Sequence, residues 1–404
     1  MLFTPKVLSA LEAKRSHFHS YQTGLQEQEG RLADWLAALS RHSAASLATA
    51  IDESGVAWPG AHPTSEFDQA PSLLLPLGSQ WHSHVDARNW AMTTLKDRPV
   101  AAVDGSQIAP TKDFSIPVGA VQVGWFINFH QEGGHYIKDV EFEVLAPDEL
   151  TDEAEAAPEG GESTFPTQQI NLLRFLRECN RLCMIMAEYA DQAPRQRPLC
   201  LFDGSFIISF AGLMAPANTQ RYVRAVRDLL ACSERYRVPL VGFVDSSLSR
   251  DLVTLLEVLQ RQPGGLRLTD GGMIRLAGIL PNWGDRTPFF FNARDDRLSR
   301  SGQGLFYSEV AFTYIQLATG RPPARLEIPR WMVEEHCAEE AVDLVRAECV
   351  VGMGYPYAIE TADALAVISQ QDRQRFYALF EQFAGRANLP FTRARKAMSK
   401  QIRR

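Results

Sequence analysis

Two short apolar runs, each closed by the same three residues, constrain this chain most. The first is Val100-Ala101-Ala102-Val103-Asp104-Gly105-Ser106. The second is Pro198-Leu199-Cys200-Leu201-Phe202-Asp203-Gly204-Ser205. Unbroken apolar residues bounded by turn formers read as strands buried on both faces. A strand ending in Asp-Gly-Ser delivers a carboxylate at its tip. Two of them imply two carboxylates at one edge of a sheet, and the rest of the chain is read for what else arrives there.

The surrounding elements have a definite order. Pro99–Asp104 is expected as a strand, followed by strands over Val118–His130 and His135–Leu145 joined at Gly133-Gly134. A helix is predicted from about Pro166 to Ala190, with Ile170, Leu173, Leu176, Cys179, Leu182, Cys183 and Met186 on its apolar side. Then come the strand Leu199–Asp203, with Phe206–Phe210 beyond it, a helix over 217–236, a strand over Pro239–Asp245 and a helix over Ser249–Gln260. Strand signals return at Phe289–Ala293, Gly304–Leu317 and Ala324–Ile328, and helices at 331–350, 359–369 and 372–386. Alternating strands and helices define an α/β protein with a mixed sheet. A three-stranded meander, a helix and a fourth strand carrying an acid is the opening order of a ribonuclease H-like fold, a mixed sheet flanked by helices.

Residues 5–51 carry Leu8, Leu11, Phe18, Tyr21, Leu25, Leu32, Leu36 and Leu39 at helical spacing, and 52–98 read as irregular structure with short helices. The expected division is therefore a helical N-terminal region over 1–97, a catalytic domain over 98–390 with an acidic loop near 146–165, and a basic tail over 391–404. Residues 148–162 hold seven acids and no base; 393–404 hold six bases and no acid. That tail suits phosphate contacts even though the net charge is −7. The six cysteines lie among apolar neighbours, and Cys179 and Cys183, four apart on one helix, lack the partners of a zinc site. Reduced core cysteines in a cytoplasmic protein are expected. Neither a signal peptide nor a run of ~18 apolar residues is read, so no membrane partner is expected.

The chemistry follows from the acids. Phosphodiester hydrolysis by two divalent cations about 3.5–4 Å apart needs hard oxygen ligands, for which carboxylates are suited. Asp104 and Asp203 supply two. The helix supplies a third from Glu178 or Glu188; Glu178, in mid-helix, is preferred to Glu188 at the C-terminal end, where a negative charge is unfavourable. Glycine after each Asp would let a phosphate approach the backbone. Asp245, at a third strand end, reads as a further acid or as the cap of the next helix. Arg325 and Arg330 flank a strand where they could meet a DNA backbone, and Asp295 and Asp296 read as a charged turn.

Together with Gly354-Tyr355-Pro356 and Arg325-Leu326-Glu327-Ile328-Pro329-Arg330-Trp331, the two Asp-Gly-Ser motifs resemble the NurA nuclease family over about residues 98–385. The resemblance implies a ribonuclease H-like, manganese-activated nuclease acting 5′ to 3′ on DNA, homodimeric, working with the hexameric ATPase HerA on DNA ends. Carried over by position, the metal-binding and catalytic set is Asp104, Glu178, Asp203 and Tyr355. Many members carry a histidine eight residues after the tyrosine; this chain has Asp363 there. Aspartate is a harder ligand than imidazole, so Asp363 is expected to bind metal and to make Mg2+ better tolerated beside Mn2+. A second reading is a catalytically weak DNA-binding scaffold that regulates HerA. A haloacid-dehalogenase-like phosphatase is disfavoured, because Ser106 and Ser205 stand where its second Asp is needed.

Overall fold

The computed structural model describes residues 2–78, 81–111, 113–150, 167–295, 306–390 and 392. Most of the acidic segment expected as a loop, Asp296, the start of the strand expected from Gly304 and the basic tail from 393 lie outside them. In chain order the elements are α1 (Thr4–Glu12), α2 (Arg15–Leu39), α3 (Ala44–Ser54), β1 (Gly60–Pro63), α4 (His84–Leu95), β2 (Val100–Ile108), β3 (Gly119–Asn128) and β4 (Tyr136–Leu145). There follow α5 (Pro147–Leu150), α6 (Thr167–Glu188), β5 (Leu199–Asp203), α7 (Pro216–Tyr236), β6 (Leu240–Val244), α8 (Asp251–Leu259), α9 (Asp270–Leu276) and β7 (Phe290–Ala293). The last are β8 (Val310–Ile315), β9 (Ala324–Pro329), α10 (Arg330–Glu334), α11 (Ala338–Val351), α12 (Tyr357–Ala366) and α13 (Gln370–Arg386). Two compact units emerge. One gathers Met1–Ser79, Asp245–Asp295 and Ala311–Leu326; the other gathers Gln80–Val244, Asp296–Val310 and Glu327–Arg404.

The second unit contains both Asp-Gly-Ser motifs. Its strands run in the order β6-β5-β2-β3-β4, with the end of β9, from Glu327, beside β6. β2, β3 and β4 form the expected antiparallel meander, and β5 runs parallel to β2 and β6. The parallel strands are buried along their apolar runs, as a sheet covered on both faces requires. On one face α6 and α7 pack through Ile170, Leu173, Leu182, Met186, Val223 and Val226 against Val103, Cys200 and Phe202. On the other, α12 lies close to β3: a Cβ on Gly124 would come within 2.9 Å of the Ala366 nitrogen. Gln122 fixes that approach by donating to the Leu365 and Ala366 carbonyls.

β2 departs from the expectation that it ends at Asp104. Its parallel partnership with β5 stops at Val103↔Phe202, but its antiparallel partnership with β3 continues through Gly105↔Val123 to Ile108↔Ala120. The turn-forming residues after Asp104 are thus held extended by a neighbouring strand. After Asp203 the motif does break the strand: Gly204 takes φ 150°, a conformation glycine tolerates, and its N–H bonds the Phe202 and Phe243 carbonyls. The residues beyond it form a loop and a single 3-10 turn at Ser209–Leu213.

In the first unit, β1, β7 and β8 pair antiparallel. Leu32, Trp35 and Leu39 of α2 pack with Leu47 and Ile51 of α3, with Leu252, Leu255 and Leu256 of α8, and with Phe290 and Phe312. The helical stripe of 5–51 is therefore divided: its C-terminal half is core, while Leu8, Leu11, Phe18 and Tyr21 are exposed. The short strand β1, within the stretch expected to be irregular, and α9 were not foreseen.

The same unit buries a charged network. Asp251 pairs with Arg325 at 2.8 Å and with Arg294 at 2.8 Å, and Tyr314 donates to Asp270 at 2.8 Å. Arg325 is 1% exposed, so the expectation that it meets DNA is corrected: its guanidinium sits over the Phe312 ring and in this ion pair. Asp270 accepts from the Asp251 and Val253 N–H groups and so caps α8. That cap is not Asp245, which is exposed and accepts from Ser246.

Candidate active site

The strand period of two sorts the residues after Val103. Val103 faces α6 and α7, so Asp104 faces the opposite side, toward α12. There it faces Asp363, which α12 carries and which helps to raise its pKa. Phe202 likewise packs on Phe175 of α6, which turns Asp203 to the α12 side. The register that pairs Val103 with Phe202 leaves Asp104 and Asp203 next in line on adjacent strands.

Glu178 reaches this group from the α6 side, over Gly105. A Cβ on Gly105 would overlap the Glu178 carboxylate, so the glycine is spent on admitting a glutamate rather than a phosphate. The Glu178 residue is 6% exposed, and its Oε1 has an ion pair with Arg174 at 3.3 Å but no hydrogen bond. Glu188 is exposed in the last turn of α6. Tyr355 donates its hydroxyl proton to Oδ1 of Asp203 at 2.7 Å, with its ring edge-on to Phe243. It is delivered by the turn Gly352–Pro356, in which Met353 and Gly354 both take positive φ. The structure thus brings Asp104, Glu178, Asp203, Tyr355 and Asp363 together. Arg330 is occupied by Glu334 at 2.7 Å.

The electrostatics are those of acids that need a cation. Burial raises the Asp104 carboxyl to about 6, helped by the hydrogen bond and charge of Asp363 and the charge of Asp203. Burial raises Glu178 to about 7; Arg174 opposes this, and Asp104 and Asp203 add to it. Like charges close together retain protons unless a cation intervenes. The donor set is all carboxylate, which fits a hard divalent ion. In their present rotamers no three His, Cys, Asp or Glu side chains among the described residues close around one ion.

Three supporting residues were assigned no role from the sequence. Arg174, one helical turn before Glu178, donates to the Gly105 carbonyl at 2.9 Å. Glu327, fully buried, accepts from the Ser205 hydroxyl at 2.8 Å and the Phe206 N–H at 2.7 Å, fixing the loop after Asp203. Glu348, also fully buried, accepts from the Ala358 N–H at 2.7 Å and lies 3.1 Å from His130 Nε2, anchoring the start of the helix that carries Asp363. An acid inside the apolar strand Leu326-Glu327-Ile328 was a readable signal, since such a residue stays buried only with partners.

Fold and site define a class: an α/β protein with carboxylates from two adjacent strands and two helices gathered at one place. The NurA domain model matches residues 98–368, and the chain belongs to that family. Membership implies a nuclease. Among solved structures, a crystal structure of NurA with manganese is similar at 9% sequence identity and a TM-score of 0.41, the match covering 71% of this chain and 89% of that one. No curated protein sequence matches the chain. No helix among the described residues is long and apolar enough to cross a membrane.

Proposed function

We propose that this protein is a divalent-metal-dependent DNA nuclease, a 5′ to 3′ exonuclease that processes DNA ends in the cytoplasm. The observation that carries the proposal is the convergence of four acids from β2, α6, β5 and α12, of which Asp104 and Glu178 are held above the carboxylate range. The arrangement is the ribonuclease H-like one, with the N-terminal helices as an extension to it. Asp104, Asp203, Asp363 and Glu178 would hold two ions, Mn2+ or Mg2+. Bound ions would lower the pKa of an attacking water and offset charge on the leaving oxygen. The protein's own groups do the rest. Tyr355 holds the Asp203 carboxylate in one orientation, Arg174 steadies Glu178 against Gly105, and Glu327 keeps the Ser205 loop in place. The active form is a homodimer that works with a HerA-type hexameric ATPase.

The test is purified protein with end-labelled DNA and Mn2+. The wild type should release products from 5′ ends. Asp104→Asn and Asp203→Asn should each lower the rate by on the order of 100-fold or more, since each removes an anionic ligand that would hold the ions. Undiminished cleavage by both variants would overturn the assignment. Asp363 in place of the family's histidine and the net charge of −7 support a second reading, a catalytically weak DNA-binding scaffold for the same ATPase. That reading expects DNA binding without cleavage under every metal and with the ATPase present.

A further inference from the structure

β4 is the last strand of its sheet, and no further strand pairs with it among the described residues. Its ladder with β3 runs from Tyr136↔Asn128 to Leu145↔Gly119 without a bulge, and it contains no proline. Just before the strand, the Phe129 N–H bonds the His135 carbonyl. Bonded pairs alternate along an antiparallel ladder, so the odd-numbered residues of β4 bond β3 and the even-numbered ones turn their N–H and C=O groups outward. The Val140 N–H agrees, since the Asp139 carboxylate takes it at 2.8 Å. The N–H groups of Lys138, Phe142 and Val144 find no partner among the described residues. Sheets guard such an edge with charge, proline or a bulge; here Lys138 is the one basic residue along it.

The side chains sort by the same period. Gly124, opposite Val140, lies against α12. Tyr136, Val140, Phe142 and Val144 therefore form an exposed apolar row on the α12 side, with Phe142 beside Phe376 of α13. Asp139, Glu141 and Glu143 form an acidic row on the α6 side. Arg177 satisfies Glu143 at 2.7 Å, whereas Arg181 lies 3.7 Å from Glu141, whose side chain stays 66% exposed. A second copy of the strand does not suit this edge. In the registers that pair its whole length about a two-fold axis, the axis falls on Val140 or on Glu141. The first sets Asp139 opposite Glu141; the second sets Glu141 opposite itself and Asp139 opposite Glu143. Like charges directly opposite destabilise a strand pair. A strand with basic residues on the α6 side and apolar ones on the α12 side matches both rows.

We propose that the outer edge of β4 is a docking site for an extended segment of another protein in which basic and apolar residues alternate, added to the sheet as a further strand. The main chain of the segment bonds the outward groups between Lys138 and Val144, which supplies affinity whatever the side chains. Its apolar side chains extend the row of Val140 and Phe142, and its cations face Asp139 and Glu141, which supplies selectivity. The site does not depend on the nuclease reading, because none of these residues belongs to the acid cluster.

The probe is a fluorescein-labelled octapeptide of alternating lysine and valine, added to the full-length protein. Anisotropy should show saturable binding, and amide exchange should slow over 136–145. A peptide of the same composition, with its lysines in one block and its valines in another, should bind about 10-fold more weakly, because its charge is the same but its alternation is gone. Glu141→Lys should weaken the alternating peptide by on the order of 10-fold and strengthen a glutamate–valine counterpart. Val144→Pro removes an outward N–H and no bond to β3, and should weaken binding by a similar factor. Should that variant fail to fold, the surface change Glu141→Lys still decides. Equal binding of the block peptide would overturn the proposal, as would binding that neither variant alters. Slow exchange over 136–145 in the protein alone, lost on dilution, would make the edge a contact between copies. The same protection lost on deleting 393–404 would give it to the chain's own basic tail. Either result overturns the proposal.

Discussion

The molecule gathers acids in two places, and they are built in opposite ways. In the first unit Asp251 and Asp270 are met by Arg325, Arg294, the Tyr314 hydroxyl and the first N–H groups of α8. Asp270 is still held at about 6, because burial and Asp251 outweigh those partners. In the second unit Asp104, Glu178, Asp203 and Asp363 face one another, and Arg174 is the cation that opposes the rise of Glu178. A structural acid cluster is told from a reactive one by the source of its counter-charge. The first is closed by groups of the chain itself. The second leaves charge to be met from outside.

The largest effect is expected from opening the closed cluster. Arg325→Met should cost about 3–5 kcal/mol of stability, since it strands Asp251 among buried groups. Urea unfolding measures it, and a loss under 1 kcal/mol would mean the network is not structural. Gly105→Ala strikes the other cluster. Its Cβ overlaps the Glu178 carboxylate, so the glutamate must move; cleavage should fall with the Asp104→Asn variant, and about 1–3 kcal/mol of stability should go with it. Full activity would show that the close contact is dispensable.

Charge removal should have the reverse sign at the site. Asp104 and Glu178 have folded pKa values above their unfolded ones, so the folded state binds protons more tightly. The stability this gives is complete below about pH 4 and is lost as pH rises through about 6 and 7. The double variant Asp104→Asn with Glu178→Gln should therefore be more stable than the wild type at pH 8, by on the order of 1 kcal/mol after solvent screening. It should retain only the shallower slope due to Asp270. Mn2+ at pH 8 should raise the melting temperature of the wild type and not of the double variant. A wild type indifferent to Mn2+ and Mg2+ would remove the metal from the proposal. The smallest effect is expected at Asp363, which like Asp203 is exposed. Asp363→His should shift the relative rates with Mn2+ and Mg2+ toward Mn2+, and Asp363→Ala should lower both. Unaltered rates in Asp363→Ala would reduce this residue to a neighbour.

Much of this was legible without coordinates. Apolar runs closed by Asp-Gly marked β2 and β5. The alternation within them put Asp104 and Asp203 on a common face once the strands were neighbours. The i, i+3 and i+4 pattern of α6 gave the helix, and Glu178 within it. These are local properties: burial of a short apolar run and the period of a helix follow from the residues themselves.

What the chain order could not reveal was which partner each residue would meet. β2 continues past Asp104 because β3 holds it there. Arg325 is buried because Asp251, far away in sequence, needs its charge. Asp270 rather than Asp245 caps α8, and Gly105 serves Glu178 rather than a ligand. Each outcome is set by a group brought near by folding, and the cost of leaving a buried charge or N–H without a partner is what selects it. The sequence alone determined that acids would stand at the ends of apolar strands. Only the tertiary structure decided which acids are neutralised from within, and which are left facing one another.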